Sequence, residues 1–136
     1  LVELMVVVAV MAIVATIASQ IYTNQVQKLR RADAKVALES IALAQERYFT
    51  IFGSYGTLAE LNDPNGDGST ADSMVAAVFA NLDRNNDGTP DNYAITVTAT
   101  TTQFNLTATA QGAQADDSCD FELNNLGERT PASGCW

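Results

Sequence analysis

Residues 1–15 of the chain read Leu1-Val2-Glu3-Leu4-Met5-Val6-Val7-Val8-Ala9-Val10-Met11-Ala12-Ile13-Val14-Ala15. A single carboxylate, Glu3, interrupts this apolar run, and the first basic residue that follows is Lys28. A charge in hydrocarbon costs at least about 2.5 kcal/mol, so a residue of this kind is usually paired and is a functional candidate. We therefore expect Glu3 to pair with a positive charge on another copy of the chain.

The apolar segment, residues 1–22, is predicted to form a helix that is hydrophobic on all sides. Its unbroken part, residues 4–15, spans about 18 Å as a helix, and extension through residue 18 gives about 22 Å. The flanking residues bring the segment close to the thickness of the bilayer core, about 30 Å. A helix of this kind lies in a membrane or is buried among other helices. We therefore treat residues 1–22 as an assembly or membrane unit and residues 23–136 as a globular head.

Residues 23–52 continue the helix with an amphipathic pattern. Apolar side chains recur at helical spacing, with two more that widen the stripe: Ala34, Leu38, Ile41, Tyr48 and Phe52, then Val36 and Leu43. Lys35 and Glu39 are spaced to form an ion pair one turn apart. Gly53 follows as a helix-ending residue. The sequence thus predicts one helix from about residue 2 to about residue 52, whose second half packs on the head.

The rest of the head is predicted to contain a connection, residues 53–92, with one short helix near residues 72–82, and then a sheet over residues 93–126. In the sheet region apolar residues alternate with polar ones, as in strands that cover a core on one face. The segments with this pattern are Tyr93 to Ala99, Phe104 to Ala110, and the pair Phe121 and Leu123. A long helix packed on three or four antiparallel strands is an α+β fold.

Two segments twenty residues apart share the pattern Asp-x-Asn-x-Asp-Gly, which opens a calcium-binding loop. The expected ligands are Asp63, Asn65, Asp67, Ser69 and Asp72 in the first loop, and Asp83, Asn85, Asp87, Thr89 and Asp91 in the second. Calcium takes six to eight oxygen ligands, and alternating Asp and Asn direct several oxygens toward one centre. We expect one or two calcium ions, with the second loop the stronger because Asp91 stands at its ninth position.

The loops depart from the EF-hand at the twelfth position, where Met74 and Ala94 replace the bidentate glutamate. Weak affinity, in the range of extracellular modules, is therefore expected. The same residue types are common in ordinary turns, so two turns without an ion are the alternative.

Three segments resemble the mature type IV pilins and the related type II secretion pseudopilins. Leu1 to Met5 matches their opening Phe-Thr-Leu-(Ile/Val)-Glu-Leu-Met from its third residue onward, and Gln45 to Tyr55 resembles the end of the long helix in pilins of the PilE type. Cys119 to Trp136, which closes with Gly-Cys-Trp, resembles their disulfide-bounded C-terminal region. The resemblance implies that residues 119–135 are closed by a Cys119–Cys135 disulfide, with two free thiols as the alternative.

The resemblance also defines how the chain would assemble. It implies that Phe-Thr precedes Leu1 in the mature protein and that Glu3 pairs with the N-terminal amine of a neighbouring subunit. The assembly residues would be Leu1, Glu3, Leu4 and Val8. Many pilins carry Gly and Pro where this chain has Ala12 and Gln20, so residues 12–20 can stay helical here.

Charge and composition exclude several functions. The chain has 16 acidic and 7 basic residues and no His, and residues 48–136 contain only Arg84 and Arg129 as basic residues. An acidic head argues against nonspecific binding to nucleic acid, which depends on neutralising phosphates, and no specific nucleic acid is predicted. No nucleophile–base pair is present, so no catalytic residue is predicted and we do not expect an enzyme.

The leading hypothesis is a structural subunit that waits in the inner membrane and then polymerises through its N-terminal helix into an extracellular type IV pilus. Its expected partners are identical copies, the inner membrane before assembly and the pilus assembly machinery. The first alternative is a pseudopilin of a type II secretion system, which the calcium loops favour and the C-terminal disulfide region disfavours. The second alternative is a minor pilin that acts as an adhesin or as a DNA receptor, and the acidic head with no basic patch counts against DNA.

Overall fold

The computed structural model describes residues 1–85, 87–131 and 134–136, with the backbone alone at residues 18–20. Helix α1 spans Val2–Phe52, which confirms the predicted long helix. It ends where predicted, because Gly53 adopts φ 73° and its N–H donates to the carbonyl of Phe49 at 2.8 Å. A positive φ of this size favours glycine, which has no Cβ to clash.

The second half of α1 buries one side against the head. Ala34, Leu38 and Ile41 are fully buried, whereas Val36 is 62% exposed and Leu43 is 65% exposed. The prediction that these two residues widen the buried stripe is therefore wrong. Each lies two positions from a buried residue, which places it about 200° around the helix, on the opposite face.

The predicted ion pair between Lys35 and Glu39 is also replaced by contacts with the sheet. The Lys35 ammonium lies 5.3 Å from the centroid of the Phe121 ring and 5.9 Å from that of Trp136. The Glu39 carboxylate accepts a hydrogen bond from Arg129 at 2.8 Å. Both side chains thus connect α1 to the head instead of to each other.

The connection after α1 contains two short helices. Helix α2, Leu58–Asn62, was not predicted, although its capping box is visible in the sequence: the Thr57 hydroxyl accepts the N–H of Glu60, and the Glu60 carboxylate accepts the N–H of Thr57. Helix α3, Ala76–Leu82, is shorter than predicted. Its start is delayed because the Ser73 hydroxyl accepts the N–H groups of Val75 and Ala76 and so forms a turn there.

Four strands form one antiparallel sheet in the order β1-β2-β3-β4. Their bounds are β1 Tyr93–Ala99, β2 Phe104–Ala110, β3 Phe121–Asn124 and β4 Arg129–Thr130. A 3₁₀ turn, Gly112–Gln114, lies between β2 and β3. Along β1 and β2 the buried side chains alternate with polar ones as predicted, and Leu106 of β2 pairs with Leu123 of β3.

The core lies between this sheet and the second half of α1. Its largest fully buried side chains include Tyr93, Phe121, Leu38, Ile41 and Leu106. The α+β fold predicted from the sequence is confirmed. The first core member on α1 is Ala34, and none of the described side chains in the first half of α1 belongs to the core.

Candidate functional site

The first half of α1 is a bare apolar surface. Its large hydrophobic side chains from Leu1 to Ile17 are between 52% and 103% exposed, and by length and composition the helix can cross a membrane, with none of that stretch buried in the chain. The predicted assembly residues Leu1, Leu4 and Val8 all lie on this surface. Glu3 lies in the first turn of the helix and makes no ion pair with any residue that the structure describes.

The first aspartate loop folds around its own carboxylates. The Asp63 carboxylate accepts the N–H groups of Asp67 and Gly68 at 3.1 and 2.8 Å. The amide oxygen of Asn65 accepts the N–H of Asp67 at 3.0 Å, and the Asp67 carboxylate accepts that of Ser69 at 2.7 Å. Three of the five predicted ligand residues, Asp63, Asn65 and Asp67, are therefore brought together in one tight turn.

The second loop has the same hydrogen bonds. The Asp83 carboxylate accepts the N–H groups of Asp87 and Gly88 at 3.1 and 2.7 Å, and the amide oxygen of Asn85 accepts that of Asp87 at 3.1 Å. The Asp87 carboxylate accepts the N–H of Thr89 at 2.9 Å. The repeated sequence pattern is thus a repeated structure, with Asn86 lying outside the described residues.

The two loops differ in how their third carboxylate is used. In the first loop, oxygen atoms of Asp63, Asp67 and Asp72 all lie within 4.8 Å of one another, which is a spacing that one metal ion can bridge. In the second loop the Asp91 carboxylate instead accepts the N–H of Arg84 at 2.8 Å. Among the residues that the structure describes, no such cluster forms there.

Protein donors also stabilise the charge of the second loop. The Thr89 hydroxyl donates to the Asp87 carboxylate at 2.6 Å, and this hydrogen bond, with the one from the Thr89 N–H, holds the pKa of Asp87 below its ordinary value. Asp87 thus accepts one more hydrogen bond than Asp67, which accepts those of the Ser69 N–H and the Asn65 amide, so the charge of Asp87 depends less on a cation.

The second loop is joined to the rest of the head on two sides. The Arg84 guanidinium pairs with Asp33 of α1 at 2.5 Å. On the other side the backbone N–H of Gln111 donates to the carbonyl of Asn92 at 2.9 Å. The side-chain amide of Gln111 donates to the backbone carbonyl of Pro90. A side chain at Gly112 would collide with the backbone oxygen of Asp91, so glycine is required there.

A buried polar cluster that the sequence analysis missed fixes α1 to the sheet. The Arg31 guanidinium donates two hydrogen bonds to the Asp117 carboxylate, at 2.7 and 2.6 Å. The Tyr93 hydroxyl and the Gln114 side-chain amide donate to the same carboxylate at 3.0 and 2.5 Å. The Asp117 side chain is only 1% exposed. Sequence spacing gave no signal, because Arg31 and Asp117 are 86 residues apart.

The cluster also shifts the pKa values of its members. The hydrogen bonds from Arg31 hold the pKa of Asp117 at about 2, against an ordinary value of 3.8. Burial, reinforced by the hydrogen bond to Asp117, raises the pKa of the Tyr93 hydroxyl. The carboxylate is therefore ionised and the phenol neutral at any physiological pH, which keeps the cluster intact.

The C-terminal region is closed by a disulfide between Cys119 and Cys135, with Cα atoms 5.6 Å apart. The adjacent Trp136 packs edge-on against Phe121, with ring centroids 5.4 Å apart, and its indole N–H donates to the carbonyl of Thr130 at 2.8 Å. The end of the chain is thus held on the sheet beside α1. The alternative of two free thiols does not apply to this structure.

Five of the seven basic side chains contact acceptors or rings of the same chain. These are Arg30 with the carbonyl of Ala113, Arg31 with Asp117, Arg84 with Asp33, Arg129 with Glu39, and Lys35 with the Phe121 and Trp136 rings. Three of these partners, Asp117, Asp33 and Glu39, are carboxylates, which offset the charge of the arginine that each one binds.

Comparisons with known proteins agree with this architecture. Residues 21–121 match the family described as "Type IV minor pilin ComP, DNA uptake sequence receptor". The chain is also similar to a solved type IV pilin from Shewanella oneidensis, with 25% sequence identity and a TM-score of 0.53. That match covers 81% of this chain and 97% of the Shewanella chain. A sequence search of curated proteins finds no match.

Proposed function

Because the chain belongs to the type IV pilin family, we propose that it polymerises through the first half of α1 into an extracellular filament. Copies would wait in the inner membrane, where residues 1–22 meet lipid, and then pack these helices against one another in the fibre. Glu3 would pair with the N-terminal amine of a neighbouring copy, which gives each helix a fixed register. The head would form the outside of the fibre.

The observation that carries this proposal is the division of α1 into a bare half and a packed half. The core of the head is complete without residues 1–17, whose large side chains remain exposed. Exposed apolar area on this scale marks a surface for membrane or protein, and an unpaired carboxylate within it marks a position where a partner charge is needed.

The proposal is tested by producing the chain in cells with a type IV pilus assembly system and imaging the cell surface. Gold-labelled antibody against the head should decorate fibres along their whole length. Label only at scattered points would identify a minor subunit within a fibre of another pilin. Short fibres confined to the periplasm would identify a pseudopilin, and the absence of the chain from any fibre would contradict the proposal.

The DNA-receptor role in the description of the matching family is a separate candidate, and we do not extend it to this chain. The head, residues 23–136, contains 7 basic residues against 15 acidic ones, which is all 16 of the chain less Glu3, and Arg31, Arg84 and Arg129 are paired with carboxylates. Receptors for DNA gain most of their affinity from basic groups that contact phosphates. If the head is retained on immobilised DNA at low salt and released as the salt concentration is raised, the DNA-receptor role would apply to this chain.

We also propose that the first aspartate loop binds one calcium ion through Asp63, Asp67 and Asp72. Their oxygen atoms are clustered within 4.8 Å, and without a cation three like charges at this spacing repel one another and oppose the compact loop. Carboxylate and carbonyl oxygens are the ligands that calcium prefers. The first loop is then the stronger one, which reverses the order expected from the sequence, because Asp91 in the second loop already accepts the N–H of Arg84.

Melting of a chain truncated to begin at Thr23 tests the calcium proposal. Ligand that binds only the native state adds about 2.7 kcal/mol at a hundredfold excess over Kd, so millimolar calcium should raise the melting temperature and magnesium should substitute poorly. Asp67→Ala should remove this increase, and the matched variant Asp87→Ala should retain it. Equal melting temperatures in calcium and in chelator would show that both loops are simple turns.

A further inference from the structure

Basic residues stand close after the apolar half of α1, and the proposed function does not use them. Within two turns of one another along the helix lie Lys28, Arg30, Arg31 and Lys35. Three of these side chains are occupied by the head: Arg31 binds the buried Asp117 carboxylate, Lys35 lies against the Phe121 ring, and Arg30 donates to the carbonyl of Ala113 at 3.2 Å. The remaining one is Lys28.

The charge of Lys28 is available to a partner outside the chain. Its side chain is exposed, and it makes no ion pair or hydrogen bond with any residue in the described part of the chain. The chain has 16 acidic residues and 7 basic ones, so an ammonium group without a carboxylate partner is unusual in it. An exposed, unpaired cation of this kind is suited to an anionic partner.

The position of Lys28 along α1 places it beside a bilayer. Residues 2–22 span about 30 Å along the helix axis, which is the thickness of the hydrocarbon core, and α1 can cross a membrane by length and composition. Tyr22 ends this segment with 71% of its surface exposed, and tyrosine is enriched at the membrane–water interface. The Cα of Lys28 lies about 9 Å further along the axis.

A lysine at this height reaches the lipid headgroups. The headgroup layer extends about 5–7.5 Å beyond the core on each side. The Cα–Cβ bonds of a helix point toward its N-terminus, which for Lys28 is the direction of the membrane. A long lysine side chain can lie along apolar surface while its ammonium stays among polar groups. The Lys28 ammonium is therefore at the level of the phosphates.

The same location favours lipid over nucleic acid as the anion. A nucleic acid that approached Lys28 would also meet the 15 acidic residues of the head, which are all 16 of the chain less Glu3, and its phosphates would be repelled by them. Lipid phosphates reach Lys28 without passing the head, because the membrane-crossing helix itself sets their level.

We propose that Lys28 binds the headgroup of an anionic phospholipid in the leaflet of the inner membrane that faces the head. The inference rests on the part of the proposed function that places residues 1–22 in lipid, and it names the class of lipid that surrounds the helix there. The contact fixes how deeply a waiting copy sits in the bilayer, and it is broken when that copy enters a fibre.

Lipid-selective quenching of the full chain in phosphatidylcholine vesicles tests this contact. A fluorescent amino acid at Gln25, an exposed position one turn before Lys28, reports the lipids nearest to it. Spin-labelled phosphatidylglycerol and spin-labelled phosphatidylcholine are added separately at the same low fraction. The anionic lipid should quench as if it were enriched about fivefold, the ratio that about 1 kcal/mol of attraction to one basic residue gives. Raised salt should lower this ratio.

Two matched substitutions assign the enrichment to one residue. Lys28→Gln should lower the ratio about threefold or more, and Lys28→Arg, which keeps the charge, should retain it. Arg47 is likewise exposed and without an ionic partner among the described residues, but it lies about 28 Å further along α1. Arg47→Gln should therefore leave the ratio unchanged. Equal quenching by the two lipids, or equal losses from Lys28→Gln and Arg47→Gln, would overturn the inference.

Flotation of the vesicles separates this inference from the proposed function. If the chain does not float with the vesicles, residues 1–22 are not a membrane segment, and the membrane stage of the proposed function fails together with this inference. If the chain floats and the two lipids quench equally, only the lipid contact is wrong and the proposed function stands. If Lys28→Gln leaves the quenching ratio unchanged and instead releases the chain from immobilised DNA, the residue binds nucleic acid and the inference is wrong.

Discussion

The two halves of α1 belong to one helix and have opposite surroundings. From Leu1 to Ile17 every large side chain is exposed, whereas Ala34, Leu38 and Ile41 are fully buried under the sheet. Between residues 30 and 39 the charged side chains are used to attach the helix to the head, as Arg31 is to Asp117. One half of the helix is therefore needed to fold the head, and the other half is available for partners outside the chain.

The largest effect that should sharpen this comparison is the loss of the buried ion pair. Arg31→Ala leaves the Asp117 carboxylate buried without its main partner, and removing one member of a buried pair costs about 3–5 kcal/mol of unfolding free energy. Arg84→Ala removes a pair of the same chemistry whose members are 62% and 45% exposed, so it should cost about 1 kcal/mol or less. Urea unfolding of both variants measures the difference, and equal losses would show that Arg31 is not the attachment point.

A leucine pair on the second half of α1 provides the next test. Leu38→Ala should lower the unfolding free energy by about 2–5 kcal/mol, because it opens a cavity at a position with no exposed surface. Leu43→Ala, five residues away on the opposite face, should change it by no more than about 0.5 kcal/mol. Chemical denaturation measures the unfolding free energy of both variants. A large loss at Leu43 would mean that this face is buried in the isolated head.

Acid should produce a smaller effect that is specific to the same cluster. The folded pKa of Asp117, about 2, lies below its ordinary value of 3.8, so the unfolded chain takes up the proton first and stability falls as the pH drops from about 4 toward 2. The contribution is about 2 kcal/mol. The stability difference between the unmodified chain and Asp117→Asn should therefore shrink over this range. A constant difference would contradict the assignment.

Sequence periodicity predicted the main elements, although it missed α2, and it did not predict their contacts. The long helix and the three main strands follow from apolar spacing, because that spacing records which side of each element is buried. The same reasoning placed Val36 and Leu43 in the core, because apolar spacing alone does not test whether they lie on the same side of the helix as Leu38. The Arg31–Asp117 cluster could not be foreseen, because nothing local in the sequence connects residues 86 positions apart.

The aspartate loops show the same limit at a finer scale. Their shared pattern predicted two similar turns, and both turns form with matching hydrogen bonds. The pattern did not show that Asp91 would accept the N–H of Arg84 while Asp72 would join the cluster of the first loop. That difference depends on how the ends of each loop join the head, which is tertiary structure.

The measurement that tests the central claim most directly is a comparison of fibre yield and head stability in Glu3→Val. Valine retains an apolar helix surface and removes only the charge that we propose sets the register between copies. We expect the melting temperature of the head to stay the same and the fibre yield to fall about tenfold or more, the loss that about 1.4 kcal/mol of binding free energy produces. Glu3→Asp, which keeps the charge, should retain more of the yield. Unchanged fibre yield from Glu3→Val, or a destabilised head, would contradict the division of α1 into an assembly half and a folding half.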